Sequence, residues 1–98
     1  MISGSVRLRA GARDDLVNAL RTMMAASMAE PGCRTYRCTF DLVDPDLLHF
    51  HEEWDDEASL SAHFVEPHFM AFNTMLAEHT AGAGVFTRHD VRASRPLF

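Results

Sequence analysis

Polar and apolar positions alternate over residues 2–10, where Val6 and Leu8 are set against Ser5, Arg7 and Arg9. That period of two predicts a strand with one buried face. Gly11 ends it. From Ala12 to about Glu30, Leu16, Ala19, Leu20, Met23, Met24 and Met28 recur near 3.6-residue spacing, opposite Arg13, Asp14, Asp15, Asn18 and Arg21. The pattern predicts an amphipathic helix with acids in its first turn, where the helix dipole favours them. Glu30-Pro31-Gly32 stops it. Residues 33–41 alternate again, with Tyr36, Cys38 and Phe40 on one face and Arg37 with two threonines on the other. Asp44-Pro45-Asp46 is turn chemistry, and residues 47–54 resume the alternation with Leu48, Phe50, Glu52 and Trp54 together. The two strands are near enough in sequence to pair as an antiparallel hairpin. Asp55 or Asp56 caps a helix carrying Leu60, His63 and Phe64, and Pro67 suits the first position of a restarted helix. Phe69, Phe72, Met75, Leu76 and His79 continue at helical spacing to Gly82, and residues 84–92 form a last strand.

The order strand, helix, strand, strand, helix, strand predicts a single α+β domain over residues 1–98, with a four-stranded sheet and both helices on one face. The other face is then left bare. Apolar groups on more than one side of the strands lead us to expect a second sheet packed against it, and hence a homodimer. A chain of 98 residues also buries a thin core that a partner would supplement.

Composition narrows the partners. Apolar residues make up 47% of the chain, which fits a globular domain. The net charge is −5 and all nine basic residues are scattered arginines, so a phosphate backbone would be repelled and nucleic acid is not an expected partner. No apolar run reaches the roughly 18 residues of a membrane span, and the first residues lack a signal-peptide pattern. Cys33 and Cys38 sit five apart in one predicted strand, roughly 16 Å from each other and on opposite faces. Two thiols that cannot pair fit a reducing, cytoplasmic location.

Six fragments in order then carry a resemblance: Glu30-Pro31-Gly32-Cys33, Tyr36, Asp44-Pro45, Glu52-Glu53-Trp54, the stretch from Asp56 to His63, and Pro67-His68-Phe69 with Phe72. At this spacing the chain resembles the antibiotic biosynthesis monooxygenase family, including its quinol-monooxygenase-like members, over about residues 4–92. The resemblance implies a ferredoxin-like βαββαβ monomer that dimerises through its sheets into an α+β barrel, with a pocket between helices and sheet. It implies oxygenation of a small aromatic or quinol by O2 with no cofactor, since an electron-rich substrate, once deprotonated, can itself reduce oxygen. Haem-degrading relatives use an Asn on the first strand and a His on the second helix, where this chain has Gly4 and Asn73. Both departures count against haem. A non-catalytic dimeric small-molecule-binding or stress-response module, and an isomerase or degrading enzyme for a small signalling molecule, remain open on the same fold.

His63 and His68 flank the helix restart and are the candidate catalytic residues, because neutral imidazole is a general base near neutral pH. The competing reading has His63 bonded to a backbone carbonyl at the break and His68 capping the new helix. Trp54, Glu52, Phe64, Phe72 and Tyr36 are the candidate substrate-binding residues, against a reading of Trp54 as a core anchor and Glu52 as an arginine's partner. His49 and His51 share a strand face at a spacing that can chelate a metal, yet only Glu53 shares that face, so no metal site is expected. His79 and His89 read as surface or interface residues, and the methionines of the first helix as core. Neither cysteine has a neighbouring base motif that would make it a nucleophile.

Overall fold

Residues 1–98 are described by a computed structural model. The elements run β1 (Ile2–Arg7), α1 (Arg13–Met28), β2 (Cys33–Phe40), β3 (Leu47–Trp54), α2 (Glu57–Phe64), α3 (Pro67–Ala77) and β4 (Val85–Arg88). One antiparallel sheet has the strand order β2-β3-β1-β4, as a ferredoxin-like βαββαβ chain requires when its second helix is broken in two. The break falls at Pro67, which has no backbone N–H to donate and occupies the start of α3. Asp56 is the cap of α2, its side chain accepting from the Ser59 N–H at 2.8 Å. No helix is long and apolar enough to cross a membrane.

The core lies between the helices and one sheet face. Leu16, Leu20 and Met23 of α1 and Phe72 and Leu76 of α3 pack on Val6, Leu48, Phe50, Tyr36 and Cys38. The opposite face differs from expectation. Ser3, Ser5, Arg7, Thr35, Arg37, Thr39, His49, His51 and Glu53 lie outside the core, so apart from Leu47 at the start of β3 the apolar groups of these three strands occupy one side. Exposed apolar surface is found instead on β4 and the tail after it, where Val85, Phe86, Val91, Leu97 and Phe98 are all accessible. Phe86 lies over Gly4, where a Cβ would collide with its ring, and meets Phe50 at 5.4 Å between centroids.

The sheet edges are also unequal. Along β2 the N–H groups of Tyr36 and Cys38 donate to the sulfurs of Met28 (3.2 Å) and Met24 (3.3 Å), so α1 covers part of that edge. The methionines therefore guard an edge as well as fill the core. Cys33 is placed differently from the simple alternation. The register pairs Cys33 with Trp54 but Thr35 with Glu53, an irregularity that inserts Arg34 as an extra residue. This bulge turns Cys33 onto the helix-side face that carries Tyr36 and Cys38, rather than the opposite one. Both thiols are free.

Candidate functional site

The turn after α1 positions the site. Gly32 has φ of +82°, a left-handed conformation open to glycine, and a Cβ there would run into the Ser59 side chain of α2. Asp55 N–H donates to the Gly32 carbonyl at 2.8 Å, tying the turn to the end of β3. With the turn held against α2, the Glu30 side chain points inward and is only 7% exposed.

Two histidines meet it there. His63, in the last turn of α2 and 1% exposed, places Nδ1 2.6 Å from Glu30 Oε2. His68, in the first turn of α3 and 26% exposed, places Nε2 2.8 Å from the same oxygen. The helix break swings the chain so that residues five apart converge on one carboxylate. A carboxylate oxygen only accepts, so both ring nitrogens donate to it. His68 thereby keeps a lone pair on Nδ1, which lies 3.9 Å from Glu66 Oε2.

An aromatic wall surrounds His63. Its ring centroid is 4.7 Å from Trp54, 4.8 Å from Phe69, 5.6 Å from Tyr36 and 6.0 Å from Phe64. Glu52 is buried beneath, accepting from the Trp54 indole N–H at 3.0 Å rather than from an arginine. Burial raises the pKa of Glu52 above the ordinary carboxylate range, opposed by the Trp54 hydrogen bond and by His63. Burial, then Glu30 and Glu52, push the Cys33 thiol up to about 11, and burial with Glu52 pushes Cys38 up to about 12. Neither is a nucleophile at neutral pH. The Tyr36 phenol is raised by the same causes and stays protonated.

The expected residues thus divide. His63, His68, Trp54, Tyr36 and Phe64 gather around one point, with Glu52 alongside. Phe72 does not join them; it is buried in the main core between α3 and the sheet. Neither histidine takes the backbone partner expected of a structural residue, since both bond to Glu30. His63 itself is buried, with 1% of its side chain exposed. The open groove, about 910 Å³, runs between Trp54, Leu60 and the tail, with Arg34 and Arg88 at its sides. Trp54 lines this groove and also packs on His63. From sequence alone Glu30 is a helix terminator; the signal that it is more is its acidic side chain beside a glycine turn, followed by two histidines flanking a proline break. His49 and His51 do share a face, but each has its own carboxylate, Asp41 at 2.8 Å and Glu53 at 3.5 Å. The donor set that comes together is Glu30, His63 and His68, whose ligating atoms all lie within 4.8 Å of one another.

An antiparallel sheet with helices on one face, enclosing acid–base groups in an aromatic setting, defines a class of small α+β proteins. Residues 1–75 match the family model for antibiotic biosynthesis monooxygenase, and the chain belongs to that family. A crystal structure of an antibiotic biosynthesis monooxygenase superposes with a TM-score of 0.87 and 25% identity, over 94% of this chain and 97% of that one. The PA3566 structure from Pseudomonas aeruginosa gives 0.83 and 26%, over 94% and 92%. A Deinococcus radiodurans structure gives 0.89 over 100% and 99%, and at 20% identity it speaks for the fold alone. The uncharacterized protein sll1783 of Synechocystis sp. is 26% identical over 72 residues, 74% of this chain. That is 49% of its own length, so the chain spans about half of the curated relative it matches.

Proposed function

We propose that the chain is a monooxygenase that oxidises a small aromatic or quinol substrate with O2, using His68 as the base. The observation that carries this reading is the shared bond to Glu30. It fixes the His68 ring, holds the proton on Nε2 and leaves Nδ1 to receive a phenolic proton, while the carboxylate stabilises the imidazolium formed. His63 is a positioning residue: nearly inaccessible, it braces Glu30 and packs on Trp54. Trp54, Phe64 and Phe69 supply apolar surface for a planar ring.

In the reaction, the deprotonated substrate gives one electron to O2, and the radical pair recombines to form a carbon–oxygen bond. The peroxide takes up a proton and loses water with the ring hydrogen. One oxygen atom ends in the quinone product and the other in water, and the substrate supplies the electrons. Oxygen uptake with a panel of hydroquinones tests this; no uptake with any of them, together with a shift in melting temperature, would mark a binding module instead.

A phosphorylated signal is less well served. Arg34 pairs with Asp55 and Arg37 lies on the far sheet face, so neither faces the cluster. We also propose a homodimer, now supported by the apolar groups of β4 and the tail, with Phe86 50% and Val85 70% exposed. The two free thiols support a reducing, cytoplasmic location.

A further inference from the structure

We infer that Glu30, His63 and His68 form a binding site for a divalent transition metal ion of the zinc type. The donors are one carboxylate oxygen and two imidazole nitrogens, brought together from the turn after α1, the end of α2 and the start of α3. Two nitrogens and one oxygen suit Zn2+ and its borderline neighbours, and do not suit Mg2+ or Ca2+, which need six or more oxygens. Glu30 has no arginine partner; its only ion-pair partners are the two histidines. A buried carboxylate that meets imidazoles alone is a common arrangement at such metal centres and an unusual one for structural ion pairs, which mostly recruit arginine.

The geometry leaves a modest adjustment. Tetrahedral bonds of about 2.0–2.1 Å place ligand atoms about 3.3 Å apart. Here Glu30 Oε2 is 2.6 Å and 2.8 Å from the two nitrogens, and no ligand pair exceeds 4.8 Å. The oxygen must draw back by roughly half an ångström and the nitrogens close by no more than about 1.5 Å, within the reach of side-chain torsions. Each ring turns its lone pair inward by carrying its proton on the other nitrogen. For His68 that nitrogen is Nδ1, already facing Glu66 at 3.9 Å, the kind of outer carboxylate that orients a ligating histidine. Three protein ligands leave a fourth position open, and the partial exposure of His68 gives the ion a way in.

The ion would occupy the space where the Glu30-bound protons now lie, so the metal-bound protein cannot also use His68 as a free base. Binding is read without reference to activity, and its failure would leave the oxygenase reading intact. The experiment is calorimetric titration of chelator-treated protein with Zn2+, with the visible spectrum of Co2+ as the coordination probe. We expect one equivalent per chain and a tetrahedral Co2+ spectrum. Glu30→Gln and His68→Ala should each weaken Zn2+ by more than about tenfold, the low end of what even outer-shell partners contribute. The His49→Ala/His51→Ala double variant, on the far sheet face, should bind as the unmodified protein does. His68 is partly exposed, so its variant tests the site even should Glu30→Gln fail to fold. No binding of either ion, or binding lost in the His49/His51 variant and kept in His68→Ala, would overturn the inference.

Discussion

At the scale of single residues, one oxygen atom, Glu30 Oε2, serves two histidines that share it unequally. His68→Ala removes the accessible ring and should lower turnover by about 10²–10⁴-fold while the fold is kept, the usual range for losing a general base. His63→Ala removes a buried 2.6 Å bond and should instead cost about 1–3 kcal/mol of stability in denaturant unfolding. Were the two outcomes exchanged, the roles given to the two rings would be reversed. Glu52 makes a separate prediction about pH. Its folded pKa is raised by burial, so it favours the fold fully below its unfolded pKa, about 4.3, and that contribution is lost as pH rises through the folded value. Glu52→Gln keeps an oxygen for the Trp54 indole and cannot ionise. As pH rises from 4 to neutrality its melting temperature should therefore fall less than that of the unmodified protein. Little of this pairing was legible in advance. Histidines on either side of a proline drew attention to themselves, but Glu30 lies 33 and 38 residues away from them, and no periodicity links positions so distant.

At the scale of elements, local rules carried most of the reading. Period two and period 3.6 named the strands and helices, and Pro67 marked the break between α2 and α3, because each of those signals acts within a few residues of itself. The bulge at Arg34 escaped, since one extra residue in a strand changes every later facing without leaving a mark in composition. The last strand is shorter than its pattern suggested: Val85–Arg88 pairs with β1 on one side only, and the pairing goes one residue further, where the His89 N–H donates to the Met1 carbonyl at 2.7 Å and the Met1 amino group donates to the His89 carbonyl at 3.1 Å. The turn at Gly32 is the element on which the site depends. Gly32→Ala places a side chain at φ +82° and against Ser59, and should cost at least about 1–2 kcal/mol from the backbone alone. Removing the Ser59 hydroxyl in the same chain should recover part of the steric share but not the backbone share. A neutral Gly32→Ala in chemical denaturation would show that the turn is not held as described.

At the scale of the whole molecule, the polar character of the free sheet face changes how assembly should be understood. An extensive apolar sheet–sheet seam is not available; β4 and the tail offer the exposed apolar groups, and β4 offers the uncovered edge. We expect light scattering to give twice the 11.0 kDa of the chain, and Phe86→Ser to shift the population toward the single-chain mass. A dimer unaffected by changes along β4 and the tail would place the interface elsewhere. The proposed chemistry is tested by oxygen uptake of chelator-treated protein with a hydroquinone panel under isotopically labelled O2. We expect uptake with at least one member, one labelled atom in the product and one in water, and near-complete loss in His68→Ala. Uptake that is absent across the panel, or that persists undiminished in His68→Ala, would contradict it.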